Sequence, residues 1–393
     1  MKITSLFFSC NTTGESTFFN KFANQLFSDG EKDINVISTG LNTNYIDKKF
    51  NLVEWDSNII LNRDLIDKFY ESIKYLETET LLVGGLPQIH GNVNQYYLLE
   101  LFKNDGVKIF NFMYDNSPWN LMSYKLLKKS YGDFPLNFIY TCPIATPYVH
   151  NFPDVNFWAS YPEKTTILAE KKEEFRKKLG IAKGEKLIFF SICVWVKAIF
   201  PSFDNYYELL ITYLVEQFAN LNVKTHFLVV YDGKFLDYYK GKHNNTNFHP
   251  SNLLSLEEYE TALLSSDLVI GDNPRQSTMV KANSAYIPTV YLKNDILLTN
   301  LKNLFARETL FAQKMRTRDF LIFYSTLKNI ENTVKTEKYF SLFNQLELFE
   351  SKFKEKISEL LSNRSKQIEI MDKQKKYFLS LKNLAKAKDI LLK

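Results

Sequence analysis

The sequence predicts two doubly wound α/β domains in tandem, closed by a helical C-terminal extension, and three observations carry that prediction. Short apolar runs alternate with polar loops and amphipathic stretches from the first residues on. A densely charged stretch around residues 161–186 interrupts this series, and a second one starts after it. No Gly follows Gly271 and no Pro follows Pro288, so nothing punctuates the end of the chain. Alternating strand and helix patterns build parallel sheets with helices on both faces, and 393 residues exceed what one core usually holds. The boundaries read as 1–165 and 166–310 for two Rossmann-like domains facing each other across a cleft, and 311–393 for a basic helical extension.

The first domain opens with an apolar strand at residues 3–10, a polar loop at 11–17 and an amphipathic helix at 18–27. Apolar runs at 34–37, 80–83, 107–113 and 137–140 follow, separated by helical stretches that include 65–76 and 96–102. The second domain is entered through a charged helix, Lys171-Lys172-Glu173-Glu174-Phe175-Arg176-Lys177-Lys178-Leu179, stopped by Gly180. Glycine is the usual residue at that stop because it takes a left-handed backbone without a Cβ penalty. Strands are then expected at 187–192, 225–230, 268–270 and 289–292.

Helix is the expectation for the extension. Leu342, Leu346, Phe349, Phe353, Ile357 and Leu360 recur at spacings of 4, 3, 4, 4 and 3, a stripe that one helical face buries. The stripe continues through Ile368, Met371, Phe378 and Leu384, interrupted by Arg364 and Lys375. Leu346, Phe349, Phe353 and Ile357 should therefore pack on the body while Lys352, Lys354 and Lys356 stay solvated. Residues 351–393 carry 12 Lys and Arg against 5 Asp and Glu, an excess of +7 that leaves the remainder at −2. A solvated helix face accounts for that excess, and an anionic partner such as nucleic acid is the alternative.

Composition bounds the function. Apolar content of 45% with 24% charged residues is that of a soluble globular protein and excludes disordered and collagen-like classes. The N-terminal apolar run is too short for a secretory signal, and no stretch of about 18 apolar residues suggests a membrane span. Cys10, Cys142 and Cys193 are odd in number and widely spaced, which fits a reducing cytoplasm and no disulfide framework. The five His have no metal-ligand spacing, so no metal site is expected.

Chemistry concentrates on loops that follow strands. Glu15 stands in the first such loop beside a helix start, where its charge is stabilised and where it can accept a hydroxyl proton; a plain helix-dipole partner is the other reading. His90 lies in Gly84-Gly85-Leu86-Pro87-Gln88-Ile89-His90-Gly91 after the run at 80–83, with an ordinary pKa near working pH. Asp115, in Tyr114-Asp115-Asn116-Ser117-Pro118-Trp119, is the third candidate acid or base, although that pattern is also an ordinary helix entry.

Residues 266–292 are the most informative stretch: a strand at Asp267-Leu268-Val269-Ile270, a polar loop at Gly271-Asp272-Asn273-Pro274-Arg275-Gln276, a helix opening at Ser277-Thr278, and a strand restarted after Pro288. This resembles the donor-binding signature of the two-domain GT-B glycosyltransferases. Ser277-Thr278 stands at its Gly-Thr, Ala282 at its Ala and Pro288 at its closing Pro. Asn273 stands where the family has His, Lys281 where it has a Glu that binds the donor ribose, and Tyr286 where it has Gly. Lys donates hydrogen bonds and cannot accept them.

The resemblance implies a donor nucleotide on the C-terminal domain and an acceptor on the N-terminal one. It places Asp272, Asn273, Arg275, Gln276, Ser277, Thr278 and Lys281 around the donor, and Lys197, after the strand at 187–192, on its diphosphate beside Arg275. Glu15, His90 or Asp115 would then activate the acceptor. The resulting expectation is a cytoplasmic, metal-independent glycosyltransferase with a nucleotide-sugar donor as co-substrate and no other cofactor. The alternatives are a degenerate GT-B-like binding protein that uses its basic tail on a partner, and a nucleotide-sugar 2-epimerase of the same architecture.

Overall fold

The computed structural model describes residues 1–6, 13–38, 46–56, 59, 62–84, 93–113, 136–142, 155–161, 164–192, 204–231, 237, 239–252, 254–274, 276–293 and 338–392. The chain forms two compact units, 1–162 with 381–393, and 163–380.

The first unit runs β1 (Ile3–Leu6), α1 (Thr13–Ser28), β2 (Ile34–Ser38), β3 (Asn51–Glu54), α2 (Arg63–Ile73), β4 (Thr80–Gly84), α3 (Val93–Asn104), β5 (Lys108–Met113), β6 (Leu136–Cys142) and β7 (Val155–Ala159). Its seven strands are all parallel, in the order β3-β2-β1-β4-β5-β6-β7. The central strands are largely apolar because helices cover both faces; β1 and β2 have no exposed residue, and their polar members Thr4, Ser5, Asn35 and Ser38 are buried with the rest. β3 and β7 extend the sheet beyond the expected runs, and β3 is a largely exposed edge strand, which explains why its sequence lacks an apolar signature. α1 buries Phe19, Phe22, Ala23 and Leu26, and the Phe22 ring meets Phe112 and Trp158 edge-on at 5.1 and 5.0 Å.

The second unit runs α4 (Ala169–Lys178), β8 (Lys186–Ser191), α5 (Asp204–Ala219), β9 (Thr225–Val230), β10 (Gly241–His243), β11 (Thr246–Ser251), α6 (Leu256–Leu264), β12 (Leu268–Gly271), α7 (Ser277–Ser284), β13 (Thr289–Lys293), β14 (Asn344–Glu347), α8 (Phe353–Ser362) and α9 (Arg364–Ser380). Its sheet order is β10-β11-β9-β8-β12-β13-β14, parallel except for the β10–β11 pair. Gly180, at φ +71, ends α4 as expected. The Arg176 guanidinium then ties α4 to the sheet, donating to Asp267 at 2.9 Å and to the Ser265 and Glu185 carbonyls at 3.0 and 2.6 Å. The two sheets confirm the α/β class and the two-domain organisation of the fold.

The extension departs from its expected single helical stripe. Residues 344–347 form a strand, β14, that pairs in parallel with β13, so Leu346 is buried through a sheet and not through a helix. Phe349, expected in the core, is 62% exposed and sits at φ +66, although its ring still touches Tyr213 at 4.5 Å. The chain leaves the strand in a turn there, which breaks the helical phase before α8. Phe353 and Ile357 are buried as expected, with Lys352 exposed and Lys354 and Lys356 partly so.

A second break at Asn363, which is extended at φ −83 and ψ 101, separates α8 from α9. α9 buries Ile370, Gln374 and Phe378, while Ile368 and Met371 are 49% and 38% exposed. Its rotation is set by Gln374, whose amide donates to Asn283 Oδ1 at 2.7 Å and to the Ile287 carbonyl at 2.8 Å. The segment after α9 belongs to the first unit: α10 (Ala387–Leu391) packs on α1. Gln25 Oε1 accepts from Trp158 Nε1 at 2.8 Å and from the Ala387 amide at 3.1 Å, and Lys388 pairs with Glu31 at 2.9 Å. The described part of residues 311–393 is thus shared between both units and forms no third one.

No helix among the described residues is long and apolar enough to cross a membrane. Cys142 is a buried free thiol; Cys10 and Cys193 lie outside the described residues.

Candidate functional site

In the second sheet the chain winds outward from β8 through β9 to β11, then returns to the other side of β8 and continues through β12 to β14. The reversal falls between β8 and β12. In open α/β sheets ligands bind beyond the carboxyl ends of the strands at such a reversal. β8 and β12 pair in parallel, Ile188 against Leu268 and Phe190 against Ile270. The segments that leave them, one carrying Lys197 and the other residues 272–278, therefore start side by side. Lys197 and Arg275 lie outside the described residues. Gly271 closes β12 against α7: a Cβ added there would lie 2.8 Å from Met279 Sδ.

Asp272 is the first residue beyond β12. Tyr207 of α5 donates its hydroxyl to Oδ2 at 3.0 Å, and Gln276 Nε2 donates to Oδ1 at 3.3 Å. The residue keeps some surface, but its carboxyl end is enclosed. Burial pushes the Asp272 carboxyl up to about 6, against the lowering effect of the Tyr207 bond and of its own backbone N–H. The Gln276 amide donates to the Asn273 carbonyl at 3.1 Å, closing the turn into α7. Gln276 takes the N-cap position with an extended backbone, φ −60 and ψ 140, and makes no side-chain cap bond. The first-turn N–H groups of α7, at Ser277 and Thr278, thus sit at the carboxyl edge with the helix dipole behind them, an arrangement that favours an anion. A carboxylate repels phosphate and accepts from hydroxyl or N–H groups. Asp272 accordingly suits a donor hydroxyl or base, and the amides of 277 and 278 suit the phosphates.

Two side chains are engaged within the protein. The Thr278 hydroxyl bonds the Tyr259 hydroxyl of α6, and Thr278 is buried. Lys281 is 3% exposed and forms an ion pair with Glu260 of α6. Burial lowers its pKa while Glu260 raises it. One turn along α7 from Thr278, position 281 faces α6 and not the carboxyl edge, so the phosphate role expected of Lys281 does not fit its placement.

Tyr286 takes a left-handed backbone, φ +62, a region that glycine occupies most readily. The Ile287 N–H bonds the Ala282 carbonyl at 3.0 Å and the Tyr286 N–H bonds that of Asn283 at 3.1 Å, the paired bonds of a Schellman stop. Pro288 directly precedes β13.

The first sheet has the same reversal between β1 and β4. Glu15 follows β1, His90 follows β4, and Asp115 follows β5, the next strand across. Their chain segments leave three adjacent parallel strands at one edge. Glu15 falls in the first turn of α1, but its side chain, like all of His90 and Asp115, lies outside the described residues. Among the described residues no cluster of His, Cys, Asp and Glu could hold a metal ion.

Sequence reasoning did not find Tyr207, Tyr259 or Glu260. Tyr207 lies in an apolar helical run and reads as core, and nothing local couples it to a carboxylate 65 positions away. Asp267, which opens the signature, has a structural role: its Oδ2 accepts from Arg176 and from the Leu187 amide, the latter at 2.8 Å, at the amino edge of the sheet.

Comparison with known proteins gives a consistent picture of the fold. A family model described as a family of unknown function, DUF6365, matches residues 136–393, and the chain belongs to that family. No curated protein matches. Among solved structures, a putative UDP-N-acetylglucosamine 2-epimerase from Listeria monocytogenes is similar at TM-score 0.55 and 13% identity, over 100% of this chain and 94% of that one. LpCGTa, solved in complex with UDP, is similar at TM-score 0.54 and 12% identity, over 100% and 97%. MurG from Acinetobacter baumannii is similar at TM-score 0.51 and 11% identity, over 100% and 99%. The fold is that of GT-B proteins.

Proposed function

We propose that this chain is a metal-independent glycosyltransferase that binds a nucleotide sugar at the carboxyl edge between β8 and β12. The observation that carries the reading is the meeting, at that reversal, of an enclosed carboxylate and an uncapped helix N-terminus, Asp272 and the first turn of α7. They suit the two halves of a nucleotide sugar. Asp272 accepts from hydroxyl or N–H groups of the donor; the amides of Ser277 and Thr278, with Arg275 and Lys197, take the diphosphate. Stabilising negative charge on the departing nucleoside diphosphate is the largest contribution such a site makes. A group from the first unit, Glu15, His90 or Asp115, accepts the proton of the attacking acceptor hydroxyl as the new glycosidic bond forms and the bond to the diphosphate breaks. That similar folds include a protein solved with UDP and a putative UDP-N-acetylglucosamine 2-epimerase supports a uridine nucleotide as the first donor to try.

The Listeria similarity also supports a second reading, a nucleotide-sugar 2-epimerase. One experiment separates the readings. Thermal melting is followed against a panel of nucleotides and nucleotide sugars; a ligand at 100 times its Kd stabilises by about 2.7 kcal/mol. The stabilising sugar nucleotide is then incubated with candidate acceptors and its products are identified. Free nucleoside diphosphate with a glycosylated acceptor supports transfer, and an epimerised sugar supports the second reading. Stabilisation by no member of the panel would sink both and leave a GT-B scaffold that serves as a binding protein. For a transferase, Arg275→Ala weakens donor binding, whereas Glu15→Gln leaves it intact and lowers single-turnover rate by about 10²–10⁴-fold. An unchanged rate in Glu15→Gln moves the base to Asp115 or His90.

A further inference from the structure

The second unit holds a cavity of about 340 Å³ at the edge of its sheet opposite the candidate donor site. Lys186 begins β8, Asp267 precedes β12 and Pro288 precedes β13, so the cavity lies at the amino ends of these strands. Lys164 and Lys172 complete its charged wall. The segment that carries Lys164 is pinned to the end of α7, where the Thr165 amide and hydroxyl meet the Ser284 carbonyl and hydroxyl at 3.1 and 2.7 Å. The Lys164 ammonium stands 5.1 Å from the centre of the Tyr286 ring. Leu264, Ile287 and Met371 provide an apolar wall.

Among the described residues the positive charge of this cavity is not balanced. Its one carboxylate, Asp267, is already held by Arg176 at 2.9 Å and by the Leu187 amide at 2.8 Å. Among the described ion pairs none involves Lys164, Lys172 or Lys186. Lys172 is half-buried, and three cations, Arg176, Lys164 and Lys186, surround it; burial is the main cause of its lowered pKa, with those neighbours adding to it and Asp267 opposing it. Lysines that only solvate a surface spread apart in water. Here three of them line one open cavity beside a carboxylate already held by Arg176, an arrangement that favours a polyvalent anion.

We propose that this cavity is a second ligand site, for a small organic phosphate, with the phosphoryl group at Lys164, Lys172 and Lys186 and the carbon skeleton along Tyr286, Ile287 and Met371. The site stands on the other edge of the sheet from Asp272, so it is independent of donor binding.

Inorganic pyrophosphate is the probe, because any phosphate ligand shares its charge recognition. Binding to the full chain is measured by calorimetry at low ionic strength for the parent, for the Lys172→Met and Lys186→Met double variant, for Lys172→Arg, and for Arg275→Ala. Methionine preserves the apolar stem and removes the charge. The parent should show a saturable site that Lys172→Arg and Arg275→Ala retain and that the double variant weakens at least tenfold. Melting controls for folding: pyrophosphate should raise the melting temperature of the parent, and the ligand-free double variant should melt no lower than the parent because repulsion is relieved. Absence of saturable binding, or binding that is lost in Arg275→Ala and kept in the double variant, overturns the proposal; the second result would assign the anion to the donor loop.

Discussion

Replacing Asp272 by Asn should stabilise the protein at neutral pH and should do so only there. The carboxyl titrates near 6 in the folded chain, against an ordinary value of 3.8. Its folded pKa is raised, so the native state binds more protons than the unfolded one between those values. Its stabilising contribution is complete below about pH 4 and is lost as pH rises through about 6. At about 1.4 kcal/mol per pH decade the loss reaches about 3 kcal/mol. Asn stays neutral throughout and can still accept from the Tyr207 hydroxyl. It gives up the acceptor facing Gln276 Nε2, a bond at 3.3 Å, worth about 1 kcal/mol. The net gain at pH 7.5 is therefore about 2 kcal/mol. Near pH 4 the gain vanishes and the variant is slightly less stable. The assay is urea unfolding of both proteins at half-unit steps from pH 4 to 7.5, reading the difference between them, so that pH effects common to both cancel. A difference independent of pH, or a parent that gains on the variant as pH rises, would show that the Asp272 carboxyl is not enclosed. The direction also bears on function, since a residue that costs stability at working pH is the kind retained for binding or catalysis.

Glu260→Gln should destabilise by about 2 kcal/mol: breaking a fully buried pair costs about 3–5 kcal/mol, and here the Glu260 side chain is 42% exposed to water while that of Lys281 is 4% exposed. Lys281→Met, which removes the charge and keeps the stem, should be neutral within about 1 kcal/mol, and the Glu260→Gln variant should regain stability as pH rises toward the ordinary lysine range because the native state then holds fewer protons; equal losses in both variants would refute the pairing. Tyr286→Gly should be more stable than Tyr286→Ala by about 1 kcal/mol in thermal unfolding, since only glycine takes φ +62 without strain. Phe353→Ala, at a fully buried position against Phe218 and Tyr213, should cost about 3–5 kcal/mol; a loss under about 1 kcal/mol in urea unfolding would mean that α8 is not part of the core of the second unit.

Local chemistry in the chain determined much of this protein. Apolar runs of strand length with amphipathic stretches between them marked β1, β2, β4, β5, β6, β8, β9, β12 and β13, because a strand buried on both faces is apolar at most of its positions. Gly180 marked the end of α4 for an equally local reason, its freedom at φ +71. The stretch from Asp267 to Pro288 marked a strand, a polar loop, a helix and a second strand, and its loop leaves the sheet at the reversal between β8 and β12. Tertiary structure decided the rest. The polar edge strand β3 and the short β14 depend on a neighbour to complete their hydrogen bonds, and no periodicity reports that neighbour. A stripe of apolar residues from 342 to 384 could not reveal that the chain turns at Phe349 and breaks at Asn363, since each break resets the helical phase and Gln374, by bonding Asn283 and Ile287, then sets which face of α9 is buried. Lys281 is the clearest case. Its position in the signature suggested a cation facing phosphate, but a lysine is directed by the nearest carboxylate it can reach, and Glu260 stands on another helix. Periodicity and glycine stops act over a few residues and can be read along the chain, whereas ion pairs, strand neighbours and the environment that raises the Asp272 pKa join residues far apart in sequence and exist only once the chain has folded.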